Sequence, residues 1–172
     1  MAVEQVGKCA FLLESLLTDL NSLSNPQDFL AFRKDIGFTN GTGANQADKR
    51  WSSAGRSLAS TVAESLDLAG ALLDYRGNAI TFARIRGIAI FNNAAIGASN
   101  LIQVGGAAAN AFVNWVTAAT AIVNVVPQGY LVLMAPTATA YVVTAGTGDL
   151  LQIKNSAAGT ISYDIALLGA SA

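Results

Sequence analysis

The segment Thr160-Ile161-Ser162-Tyr163-Asp164-Ile165-Ala166-Leu167, near the end of the chain, decides the fold class. Large apolar side chains alternate in it with small or polar ones, which is the pattern of a β-strand with one buried face. Further short apolar segments follow one another from residue 84 onward, separated by Gly, Pro and Asn. Because such breakers interrupt any long helix, this half of the chain is predicted to be β.

The same pattern predicts a sandwich of about eight to ten strands, spaced as in β-sandwich and barrel proteins. The predicted strands cover residues 49–58, 60–68, 84–91, 101–104, 112–116, 121–126, 130–134, 140–144, 150–154 and 160–167. Residues 84–91 have apolar side chains on both faces, which places that strand in the middle of a sheet. Residues 127–129 and 144–148 are predicted to form hairpin-like turns. We therefore expect residues 48–172 to form an antiparallel β-sandwich of jelly-roll or related Greek-key type, with its strand order open.

The N-terminal residues 1–24 show a different periodicity. Their apolar residues recur at three- and four-residue spacing, namely Val6, Cys9, Leu13, Leu16, Leu17 and Leu20. This spacing predicts an amphipathic helical arm, with an apolar stripe that Leu12 widens. The stripe must be buried against the protein's own sheet or against a neighbouring subunit, and both alternatives are open. Residues 25–47 are predicted to be a linker and loop, with a short helix ending near Phe32.

Charged residues are scarce in this chain. They make up 12% of the sequence, against 52% hydrophobic residues, and the formal net charge is −1. Residues 87–148 contain no Asp, Glu, Lys or Arg. Since a typical soluble domain is about one-quarter charged, we expect other protein to cover much of this segment's surface.

Several partner classes are excluded on the same grounds. No basic cluster is present to gather phosphates, so no nucleic acid partner is expected. The most apolar window, residues 107–126, is interrupted by three asparagines, so no membrane-spanning helix is predicted. The N-terminus lacks the basic start and long apolar centre of a signal peptide, so it is interpreted as mature sequence, and synthesis in the cytoplasm is expected.

The composition also argues against an enzyme. The chain has no histidine and a single cysteine, Cys9, which excludes Ser-His-Asp and Cys-His nucleophile systems as well as disulfides within one chain. The usual zinc and transition-metal ligands are missing for the same reason, and no cofactor is expected. Asp149 and Asp164 stand apart from other acidic residues, so a pair of catalytic carboxylates is not predicted.

Two groups of residues remain as candidates for binding. Arg84 and Arg86 lie two positions apart and are expected on the same side of one strand. They could form a cationic spot, pair with an acidic residue such as Glu64, Asp67 or Asp74, or contact a neighbouring subunit. The large aromatic residues are expected to fill the core or an interface, with a sugar-stacking platform as the alternative. They are Trp51, Trp115, Tyr130 and Tyr141.

Several motifs resemble a known group of proteins. They are the run Asn40-Gly41-Thr42-Gly43-Ala44-Asn45-Gln46-Ala47-Asp48-Lys49-x-Trp51, then residues 66–70, 80–85, 104–112, 143–151 and 163–165. This pattern is similar to that of small virion structural proteins of tailed bacteriophages, from about residue 40 to the C-terminus. The resemblance implies a β-sandwich subunit present in many copies, of the capsid decoration or cement type. It brings no catalytic residues.

The resemblance and the composition together give the functional hypothesis. The chain is expected to be a non-enzymatic virion protein, made in the host bacterial cytoplasm. It would bind the major capsid protein or other virion proteins and form a homo-oligomer, with a trimer favoured. The alternatives are a carbohydrate- or receptor-binding module on a tail or fibre, and a tail-tube or connector component. The candidate interface residues are Leu12, Leu13, Leu16, Leu17, Leu20, Trp51, Arg84, Arg86 and Trp115.

Overall fold

The computed structural model describes residues 6–18 and 27–172 of the chain. Within these ranges the chain forms thirteen β-strands and no α-helix. The strands are β1 Gly7–Thr18, β2 Gln27–Phe38, β3 Lys49–Leu58, β4 Ala63–Asp67, β5 Leu72–Leu73, β6 Ala79–Ile80, β7 Arg84–Asn92, β8 Ile102–Gly105, β9 Ile122–Val125, β10 Tyr130–Met134, β11 Tyr141–Val142, β12 Leu150–Asn155 and β13 Ile161–Ala170. Accordingly, the described part of the chain holds no helix long and apolar enough to cross a membrane.

Two antiparallel sheets make up most of the fold. The first has the strand order β10-β7-β13-β3, with β11 also paired to β7, and the second has the order β4-β12-β8-β9. Side chains from both sheets meet in one buried cluster, for example Ile88 and Ile165 from the first and Val104 and Ile153 from the second. Two sheets that share one apolar layer form a sandwich-like fold. The mainly β, antiparallel architecture expected from the sequence is therefore confirmed.

Strand β13 shows how the alternating sequence becomes buried structure. Ile161, Tyr163, Ile165 and Leu167 are buried, while the residues between them are half-buried or exposed. Its neighbour β7 lies between β10 and β13, which confirms the prediction of a mid-sheet strand. The pairing of β7 with β13 shifts register between Leu168 and Gly169. Such a bulge changes which side of the sheet the following side chains occupy.

The predicted N-terminal helix is wrong over the described residues. Gly7–Thr18 is a strand, and it pairs along its whole length with Gln27–Phe38 in an antiparallel two-stranded ribbon. The second strand also replaces the linker and short helix predicted there. The apolar residues of this segment fit both periods, because Cys9, Phe11, Leu13 and Leu17 also alternate as in a strand. The rest of the predicted arm, including Leu20, lies outside the described residues.

Two other local predictions are also wrong. Residues 112–116 form no strand but a turn, in which the amide of Val116 donates to the carbonyl of Val113. The turn at 127–129 does not close a hairpin. Because β9 and β10 belong to different sheets, this turn leads the chain from one sheet to the other, with Gln128 in the left-handed region at φ 57°. The loop at 144–148 does close tightly, since Thr144 and Gly148 form an antiparallel bridge.

Candidate protein-interaction surface

The ribbon formed by β1 and β2 has two faces of different character. In an antiparallel pair, residues directly opposite each other lie on the same face. The register therefore gives one face, here called the apolar ribbon face, that consists of Cys9, Phe11, Leu13, Ser15, Leu17, Asp28, Leu30, Phe32, Lys34 and Ile36. The other, the mixed ribbon face, consists of Lys8, Ala10, Leu12, Glu14, Leu16, Thr18, Gln27, Phe29, Ala31, Arg33, Asp35 and Gly37.

Both ribbon faces are exposed along most of their length. Leu17 on the apolar ribbon face is 71% exposed and Phe29 on the mixed ribbon face is 62% exposed. Only the base of the ribbon is covered, where Phe38 is buried and Gly7 lies beside Leu168 of the first sheet. A two-stranded ribbon is marginally stable by itself, and large exposed apolar patches mark interaction sites. The ribbon therefore presents a surface suited to burial against protein.

Three of the four charged residues on the mixed ribbon face, Lys8, Arg33 and Asp35, are paired with each other. The Lys8 ammonium lies 2.8 Å and the Arg33 guanidinium 3.2 Å from the Asp35 carboxylate. Hydrogen bonds from Lys8 and then from Arg33 lower the pKa of the exposed Asp35 carboxyl below its ordinary value. This polar cluster sits beside Leu12 on the same face, so the face combines apolar residues with a charged border.

A groove separates the apolar ribbon face from the first sheet. Its volume is about 490 Å³, with Phe11, Lys34 and Ile36 on the ribbon side and Tyr130 and Val132 on the β10 side. Strand β10 ends its sheet, and among the described residues it pairs only with β7. The groove therefore lies between the exposed apolar ribbon face and the unpaired edge of β10.

The charge-free segment 87–148 adds further exposed apolar side chains. Tyr130 is 73% exposed, and its ring stacks at a tilt on Phe91 with centroids 4.4 Å apart. The other large apolar residues exposed in this segment are Ile96, Ile122, Val126, Val132 and Val142. That segment therefore contributes apolar residues both to the core and to the surface, as its lack of charge suggested.

The structure separates the predicted interface residues into two groups. Leu12, Leu13, Leu16 and Leu17 are all exposed on the ribbon, on both of its faces. Trp51 and Trp115, in contrast, are partly buried and pack against the core cluster. The Trp115 indole nitrogen donates to the carbonyl of Phe112, and the Arg56 guanidinium lies over the Trp51 ring. These tryptophans border the core, whereas the leucines face solvent.

The two arginines do not form a cationic spot on the surface, which was one of the alternatives that the sequence left open. Arg84 is half-buried, whereas Arg86 is completely buried. The register shift between β7 and β13 leaves Arg86 without an opposite residue in β13, and its side chain enters the interior. Its Nη2 donates to the carbonyls of Thr42 at 2.7 Å and Gly43 at 3.1 Å. Burial, followed by the nearby charge of Arg84, lowers the pKa of Arg86 from its ordinary value. Among the described residues, Arg86 forms none of the three alternative pairings, with Glu64, Asp67 or Asp74.

Glu64 instead belongs to a polar cluster that the sequence did not reveal. The Arg56 guanidinium forms a short ion pair with its carboxylate, and the Tyr163 hydroxyl donates to it at 2.5 Å. Burial alone would raise the pKa of Glu64, but the hydrogen bonds from Arg56 and Tyr163 outweigh burial and lower it. Burial, followed by the hydrogen bond to Glu64, raises the pKa of Tyr163 above its ordinary value. The hydrogen bond to Glu64 also raises the pKa of Arg56. The cluster ties β3, β4 and β13 together.

The residues of β2 were also missed as candidates. Phe29 and Phe32 are exposed on the ribbon opposite Leu16 and Leu13, and Leu30 is exposed opposite Ser15. The alternation of Leu30, Phe32 and Ile36 was the signal that could have identified this strand.

Among the residues that the structure describes, no cluster of Cys, Asp and Glu is placed to hold a metal ion. Comparison of the chain with protein-family models, curated proteins and solved structures found no match.

Proposed function

We propose that this chain is a non-enzymatic structural protein of a bacteriophage virion, of the capsid decoration or cement type, that acts as a homo-oligomer. The sequence resemblance suggests the class, and the observation that supports it most is the ribbon with both faces exposed. We also propose that the sandwich is of jelly-roll or related Greek-key type. The partners are the major capsid protein or other virion proteins, and the location is the virion.

A cement protein adds buried area across the joints between shell subunits. A stable contact usually covers about 1,200–2,000 Å² in total, with an apolar centre and a polar border. The mixed ribbon face supports such a contact, because Leu12, Leu16 and Phe29 supply apolar area. The ion-paired Lys8, Arg33 and Asp35 lie on the same face and supply polar groups at its edge. We assign the capsid contact to this face.

The test is co-sedimentation of the full chain with empty capsids of its own source. The variant Leu16→Ser removes an apolar contact from the mixed ribbon face, and Leu73→Ser is the matched control, since both leucines are 56% exposed. We expect the wild-type and control proteins to saturate capsids in a fixed ratio and Leu16→Ser to bind at least about tenfold more weakly. Absence of capsid binding by the wild-type protein contradicts the proposal, and equal binding by Leu16→Ser contradicts the assignment of the face.

One observation favours a second candidate, a carbohydrate- or receptor-binding module. A shallow cleft of about 430 Å³ on the first sheet is lined by Tyr130, Ser52, Ser53 and Asp164, among others. An exposed aromatic ring beside polar groups suits a sugar. The Asp164 carboxylate, however, already accepts hydrogen bonds from the Gly55 amide and the Asn93 side chain. Binding of the wild-type protein on a glycan array, lost in Tyr130→Ala, would favour this candidate over the capsid role.

A further inference from the structure

The apolar ribbon face has a symmetric arrangement of charge. Lys34 and Asp28 lie six residues apart on β2, roughly 20 Å, so they cannot pair within one copy. Neither forms an ion pair with another described residue, although the Lys34 ammonium lies 5.9 Å from the centre of the Phe32 ring. The midpoint between the two charges falls between Phe32 and Leu30. One cation and one anion thus stand at equal distances from the centre of an apolar strip.

A second copy of the same face complements this arrangement. If two ribbons stack face to face and antiparallel, with β2 over β2, each Lys34 meets the Asp28 of the other copy. The same two-fold symmetry sets Phe32 over Leu30 and, along β1, Phe11 over Leu17. Leu13 meets Ser15 of the other copy, whereas Phe11, Leu17, Leu30 and Phe32 each meet another apolar residue. Such self-complementarity is the requirement for a two-fold contact between identical subunits.

The groove beside the ribbon extends the contact. In this stacking, Leu17, Leu30 and Asp28 of the second copy lie over Phe11, Phe32 and Lys34, which line the groove together with Tyr130 and Val132 of β10. Two stacked ribbon faces alone would cover roughly 600 Å² in total, about half of what a stable interface needs. Contact of these side chains with the exposed Tyr130 and Val132 adds apolar area from β10, which brings the contact closer to that requirement.

We infer that the apolar ribbon face and its groove bind the same face of a second copy, with Lys34 of each copy paired to Asp28 of the other. This inference deepens the proposed function, because it assigns the self-association to one ribbon face and leaves the mixed ribbon face for the capsid. It concerns contacts between copies of this chain, so it is tested without capsids.

The test is a charge exchange followed by light scattering of the purified full chain across a range of concentrations. The wild-type protein is expected to form dimers or larger assemblies built from pairs. The variants Lys34→Asp and Asp28→Lys each place like charges together, and we expect each to associate about tenfold or more weakly. An equimolar mixture of the two variants restores both ion pairs, because one copy then supplies only acidic and the other only basic residues at these positions.

Lys154→Asp is the matched control, since the same charge change is made on β12 of the second sheet, outside the ribbon, at a lysine that forms no ion pair with another described residue. It should associate like the wild type. Thermal unfolding of each variant checks that the sandwich remains folded. The inference is overturned if the wild-type protein stays monomeric, if the single variants associate like the wild type, or if the mixture fails to restore association. If the wild-type protein associates as inferred but does not co-sediment with capsids, the proposed function alone is overturned.

Discussion

The ribbon and the sandwich are made from similar sequence but meet different surroundings. In β13 of the sandwich, alternate residues such as Tyr163 and Ile165 are buried by the opposite sheet. In β1 of the ribbon, Leu13 and Leu16 lie on opposite faces, and both are exposed. The spacing of apolar residues along a strand thus specifies which side chains share a face, but not what covers that face. The partner of a face is a property of the assembled structure.

Polar groups also differ between the two regions, because they are buried in the sandwich and exposed on the ribbon. Inside the sandwich, the buried Asn155 side chain donates to the carbonyls of Ala59 and Gly159 and accepts from Asn100. On the ribbon, the ion pairs of Asp35 are exposed to solvent. Buried polar groups stabilise a fold when their hydrogen bonds are complete, whereas exposed ion pairs contribute little. Stability is therefore expected to reside in the sandwich and association in the ribbon.

The largest effect on the free energy of unfolding should come from a substitution that leaves a cavity in the sandwich core. Ile153 on β12 is fully buried in the cluster between the two sheets. Ile153→Ala removes apolar contacts and leaves a void, so we expect it to lower the free energy of unfolding by about 2–5 kcal/mol. Urea denaturation followed by tryptophan fluorescence measures this change. A loss below about 1 kcal/mol would mean that the two sheets are not tightly packed at this position.

An intermediate, pH-dependent effect is expected at Glu64. Because its pKa is lower in the folded protein, its ionised form stabilises the fold above pH 4.5, the ordinary pKa of this side chain. That stabilisation is lost as pH falls through the folded pKa. We therefore expect Glu64→Gln to be about 1 kcal/mol less stable than the wild type at pH 7, with the difference shrinking below pH 4.5.

Chemical denaturation of the wild type and Glu64→Gln between pH 3 and 7 measures this difference. Asp35→Asn is the control, because Asp35 also has a lowered pKa but lies exposed on the ribbon. It should alter the stability of the sandwich less than Glu64→Gln does. If the two variants behaved alike, the burial of the Glu64 cluster would have no energetic consequence.

The smallest effect on stability should come from the ribbon. Leu13 is exposed near the centre of the apolar ribbon face and lies outside the core cluster. Leu13→Ser should change the free energy of unfolding of the dilute protein by no more than about 0.5 kcal/mol. The same substitution should weaken self-association, measured by light scattering. A large loss of stability in the dilute protein would show that the ribbon belongs to the folding unit of the sandwich.

The strands were predictable where burial on one face dictates the sequence. Lys49–Leu58 and Tyr130–Met134 match the predicted ranges, and the alternation of 160–167 identified β13. The ribbon was not predictable as a strand pair, because its leucines fit one helical stripe, whereas a strand divides them between two faces. Pairing with β2 decides between them, and pairing is a long-range interaction that local periodicity does not record. Arg86 was misplaced for a related reason, since a bulge in β7 moved it into the interior.

The sequence by itself determined that this chain is mainly β, with a core of alternating apolar residues, little charge and no histidine. Those properties follow from composition and from the two-residue period of a strand. Only the tertiary structure decided that the N-terminal leucines lie on an exposed ribbon, that Glu64 pairs with Arg56 and Tyr163, and that Lys34 and Asp28 share one face. Each of these depends on strand register, which is fixed by contacts between segments far apart in the chain.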